Sequence, residues 1–91
     1  MMNGDFAHDL LRAQRRFPDQ IDRVARLAGR SEAFHDMCEE LAAAERALAA
    51  LTADATERRI ECESWIDRLT SEMSEALRQA DVLPLPARGQ R

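Results

Sequence analysis

SEAFHDMCEELAAAERALAAL, residues 31–51, is the stretch that decides the fold. Phe34, Met37, Leu41, Ala44, Leu48 and Leu51 recur at alternating steps of three and four. That is the stripe of a helix that packs lengthwise against another helix. Ser31 precedes the run and suits an N-cap, because its hydroxyl accepts from an orphan amide of the first turn. Glu32, Asp36, Glu39 and Glu40 bring negative charge to the positive end of the helix dipole.

A second arm repeats the pattern. Cys62, Ile66, Leu69, Met73, Ala76 or Leu77, and Ala80 follow the same spacing. Thr52-Ala53-Asp54-Ala55-Thr56 is the expected turn between the arms, with Asp54 and Glu57 at capping-box distance. No glycine or proline enforces the break. One unbroken helix from Ser31 to Ala80, about 75 Å long, is therefore the competing reading. In the hairpin, Trp65 flanks the second stripe and Ile60 lies off it. With Cys38 and the alanine-rich side of the first arm, they make apolar surface that two helices alone leave bare. Either the N-terminal segment or a second copy of the chain must cover it.

Ahead of Ser31 the spacing predicts two short helices. Phe6, Leu10, Ala13 and Phe17 share one side of a helix over residues 5–16, capped by Asn3 or Asp5. Phe17-Pro18 interrupts it, since the residue before proline is pushed out of the α region. Pro18 suits the first turn of a second helix, with Asp19 and Asp22 at its positive end. Ile21, Val24, Ala25 and Ala28 form that helix's apolar side, and Gly29 is expected to end it in the left-handed conformation. The chain thus divides into two short helices (1–30), a helical hairpin (31–80) and a flexible tail (81–91) whose Pro84 and Pro86 fit a short polyproline segment.

Composition agrees with an all-α domain. Of 91 residues three are glycine, two valine and three isoleucine, and tyrosine is absent, so strand signals are missing. Sixteen of the apolar residues are alanine, which leaves a thin core for a chain of this size. Dimerisation that completes a helical bundle is the expected remedy. No run reaches the roughly 20 apolar residues of a membrane span, so no membrane partner is expected. The first residues lack a signal-peptide pattern, and Cys38 and Cys62 are too few for a disulfide scaffold. A cytoplasmic location is expected. Thirteen arginines without a lysine read as the codon bias of a GC-rich bacterial genome.

Phe17-Pro18, then Leu27, then Phe34 stand at the spacing that opens the YdcH-like family of short bacterial helical-hairpin proteins, which the chain resembles over residues 17–80. Glu39-Glu40-Leu41, Leu69, Glu72-Met73 and Leu77 echo that family's acidic first arm and its second arm rich in Leu and Glu. The chain departs from the family in lacking lysine and in carrying a helix before Phe17. The resemblance implies a self-associating helical hairpin and brings no catalytic residue with it.

Charge is unevenly placed. Residues 1–30 carry six arginines against four acids, and residues 31–81 carry five against thirteen. Arg12, Arg15, Arg16, Arg23, Arg26 and Arg30 make nucleic-acid binding an alternative. Interleaved acids and the lack of a stacking aromatic weigh against it. Glu32-x-x-His35 is the pair that dinuclear carboxylate bundles use, and a dimer would present two of them. Its phase is wrong, because Glu32 and His35 face mainly outward when Phe34 and Met37 face inward. His35, Cys38 and Cys62 do not converge for zinc under the hairpin register. No nucleophilic triad or phosphate loop is present in the sequence.

The reading is a non-enzymatic helical protein without metal or cofactor, acting by self-association and protein contact. Trp65, Ile60, Phe17 and Ile21 are the residues expected to make contacts between chains or between the N-terminal helices and the hairpin.

Overall fold

The computed structural model of the chain describes residues 3–82, with side chains from Phe6 to Ala80. Its regular structure is entirely helical: α1 (Asn3–Arg16), a 3-10 turn (Pro18–Gln20), α2 (Ile21–Arg30), α3 (Glu32–Ala49) and α4 (Thr56–Val82). The fold is all-α. α3 stops at Ala49 and α4 begins at Thr56, so the unbroken-rod reading is excluded. The tail beyond Val82, with its polyproline expectation, lies outside the described residues.

One residue serves two helices at the tightest corner. Ser31 sits between α2 and α3 in extended backbone, with φ −119 and ψ 115. Its N–H donates 2.8 Å to the Leu27 carbonyl and closes α2. Its hydroxyl oxygen accepts from the Phe34 N–H at 3.1 Å and opens α3, as expected of an N-cap. Gly29 does not end α2: the helix runs on to Arg30, and no glycine of the described chain has positive φ. The serine supplies the stop, so the glycine's freedom is not needed there.

The second break differs from expectation as well. Asp54 does not cap α4. It accepts a 2.7 Å hydrogen bond from the Thr52 hydroxyl inside the loop, while Arg59 N–H reaches the Ala55 carbonyl and starts the helix one residue later. Arg59 also donates 3.0 Å to the Thr52 carbonyl, tying the first turn of α4 back across the loop. These local bonds hold a turn that has no glycine or proline.

The two stripes meet as expected. Phe34, Leu41 and Ala44 of α3 are buried with Ile66, Leu69, Met73 and Leu77 of α4, while Met37, Leu48 and Ala76 pack at the edge of the same cluster. Ala80 is an exception and is exposed. Ridge-into-groove packing of two antiparallel helices accounts for this seam.

The bare side of the first arm is covered from within the chain. Ala13 of α1 and Val24 and Ala28 of α2 join the same core as Phe34, Cys38 and Leu41. Phe6, Leu10, Phe17 and Leu27 pack around it. Phe6 lies beside His35 and Arg16 beside Glu45, so α1 runs in the same direction as α3. α2 must then return along α3 to reach Ser31. The result is a four-helix arrangement, 58 × 29 × 21 Å, in which α3 touches the other three helices. α4, at 27 residues about 40 Å long, packs on α3 and on α2 and projects past them.

Phe34 is the largest fully buried side chain, and Ile60 is 58 % exposed. Phe34→Ala should cost about 3–5 kcal/mol and Ile60→Ala less than about 0.5 kcal/mol, read from urea unfolding followed by circular dichroism.

Candidate functional site

Side chains expected to make contacts fall in two settings. Phe17 and Trp65 are half-buried and packed against the core. Ile21 and Ile60 are 48 % and 58 % exposed. Five residues along one helix separate Ile60 from Trp65, a rotation of about 140°, so the two do not share a patch. Leu11, at 49 % exposure, is a large exposed apolar residue that sequence reasoning passed over. Its position opposite the Phe6–Leu10–Ala13 side of α1 is the signal that would have found it.

The arginines of the N-terminal helices are not one surface. Arg12 Nη1 donates to Glu45 Oε1 at 3.0 Å, and Arg16 Nε donates to Glu45 Oε2 at 2.7 Å. One carboxylate on α3 thereby holds two guanidinium groups of α1. Arg46 extends the link in the opposite sense and donates 3.3 Å to Asp9, which is 9 % exposed. Partly exposed pairs of this kind contribute up to about 1 kcal/mol each, so they fix the register of α1 more than they hold the fold. Arg23 donates 3.3 Å to Gln20 on its own side of the chain. Arg26 and Arg30 are exposed and line, with Arg23, Leu27, Leu77 and Ala80, a shallow cleft of about 130 Å³ between α2 and α4.

Glu32 is exposed and His35 half-buried. The carboxylates within reach of the imidazole among the described residues are Asp36 and Glu39. His35 Nδ1 lies 3.8 Å from Asp36 Oδ1 and 3.9 Å from Glu39 Oε2. The ring stacks on Phe6 of α1, with centroids 3.8 Å apart and planes inclined by 16°. That contact is what sequence spacing could not show.

Cys38 and Cys62 are both free and buried. Burial pushes the Cys38 thiol from 9.0 to about 12, and the negative charges of Asp9 and Glu39 add to the shift. A thiol held protonated in this way is a poor nucleophile and a poor metal ligand at neutral pH. Glu39 is the next residue along α3, whereas Asp9 comes from another helix, α1.

No family model, curated protein or solved structure matches the chain.

A raised thiol pKa means that the unfolded chain loses the proton first as pH rises. The Cys38 contribution to stability is therefore complete below about pH 9 and declines from there toward pH 12. Urea midpoints measured across that window should fall more steeply for the native chain than for Cys38→Ala. At pH 8, iodoacetamide should leave Cys38 unmodified in the folded chain and alkylate it once urea is added, as read by mass spectrometry of its peptide.

Proposed function

We propose that this is a non-enzymatic, cytoplasmic helical protein, related to the YdcH-like hairpin proteins, that acts by pairing with copies of itself and with other proteins. The observation that carries the reading is the sorting of charge between surfaces. α2 exposes Arg26 and Arg30 against one acid, Asp22, whereas α4 exposes Glu57, Glu61, Glu63, Asp67, Glu72 and Glu75 against three arginines, Arg58, Arg68 and Arg78. A two-fold dimer that sets the α2 of one copy against the α4 of its partner makes the same opposite-sign contact twice. Exposed Ile21 borders a shallow hollow that Arg26 also lines, on the side of α2 away from Arg30.

Other observations point the same way. Phe17, Leu27 and Phe34, the residues that carry the family resemblance, converge on one core. Arg12 and Arg16 are engaged by Glu45, which reduces the basic surface left for a phosphate backbone. The protonated Cys38 supplies no nucleophile. Two unpaired cysteines fit a reducing compartment, and no described helix is long and apolar enough to cross a membrane.

Light scattering coupled to size exclusion tests the proposal. A dimer or larger assembly is expected at low ionic strength, shifting toward monomer at about 1 M salt, where the Debye length shrinks to roughly 3 Å. Arg26→Glu combined with Arg30→Glu should give monomer already at low salt. Monomer mass for the native chain at every concentration and salt would overturn the reading.

A further inference from the structure

We infer that His35, Asp36 and Glu39 form a site for a divalent transition-metal ion of the zinc class on the exposed side of the first turns of α3. The three donor atoms lie within 4.8 Å of one another. One imidazole nitrogen, Nδ1, faces both carboxylates, at 3.8 and 3.9 Å. A metal bonded to nitrogen and oxygen donors at about 2.0–2.2 Å places neighbouring donors roughly 3.4 Å apart in tetrahedral geometry. The two separations from Nδ1 exceed that by about half an ångström, and the carboxylates, within 4.8 Å of each other, must close on the ion as well. Asp36 and Glu39 are exposed and free to rotate by that amount.

The imidazole is the less mobile partner. Phe6, from a different helix, stacks on its face and holds the ring plane. Such a neighbour outside the coordination shell lowers the ordering needed for a ligand to meet its metal. Electrostatics favours the cation. The positive end of α3 opposes it with about half a unit charge, but the two carboxylates bring two negative charges to the spot. Glu32 and Glu40 lie exposed on the same two turns and add to the attraction.

Donor chemistry sets the class of ion. An imidazole nitrogen with two carboxylates suits zinc, cobalt or nickel, whereas magnesium and calcium prefer all-oxygen shells. Water fills the remaining positions, so affinity lies below that of four-ligand structural sites. The inference is independent of self-association, because the donors come from one helix of one chain.

Isothermal titration of the full chain with zinc chloride at neutral pH tests it, with circular dichroism to verify that each variant is folded. One saturable site per chain is expected. His35→Ala should weaken it by roughly tenfold or more, Asp36→Asn and Glu39→Gln should each weaken it, and His8→Ala should leave it unchanged. Excess magnesium should not displace the zinc. Absence of saturable binding, native-like binding by His35→Ala, or displacement by equimolar magnesium would each overturn the assignment.

Discussion

Burial of α3 on several sides by its own chain is the constraint that everything else obeys. Phe34, Cys38, Leu41, Ala42 and Ala44 are all buried, and on a helical wheel they cover nearly half the circumference. A single partner helix covers far less than that. α4 takes one edge of this arc, while α1 and α2 take the rest. The alanines let helices approach closely where larger side chains would hold them apart. A core rich in small residues then works because four helices share one centre, with each buried large side chain contributing about 1.5–3 kcal/mol.

Closure at Ser31 follows from that need. α2 must lie on α3 while running against it, so the chain has to reverse within one residue. An extended serine that accepts the Phe34 amide in the first turn of the next helix and donates to the last turn of the previous one satisfies both ends at once. Glu45 then anchors the far end of α1 through Arg12 and Arg16. These partly exposed charged links set register without adding much energy.

The α3–α4 seam was legible in the sequence because a spacing of three and four reports directly on a helix face. The competing coverings of the remaining arc were not separable there. Their decision rests on contacts between residues about thirty positions apart, such as Arg12 with Glu45 and Asp9 with Arg46. Local signals misled at two positions. Gly29 looked like a terminator and Asp54 like a cap, yet Ser31 and the Thr52–Asp54 bond took over those tasks. At the metal-type cluster, the spacing of His35, Asp36 and Glu39 is visible in the sequence, but the Phe6 contact is not. Cys38 shows the same divide: burial was foreseen, and the Asp9 charge beside it was not.

Amide hydrogen exchange, followed residue by residue over a hundredfold dilution, tests most directly whether α3 is covered from within its own chain. At about 1 M salt, where the proposed pairing of copies is screened out, amides from Phe34 to Ala44 should be the slowest in the molecule and their protection should stay constant on dilution. Protection of α3 that falls with protein concentration would show that a second chain supplies the cover, and would contradict the account.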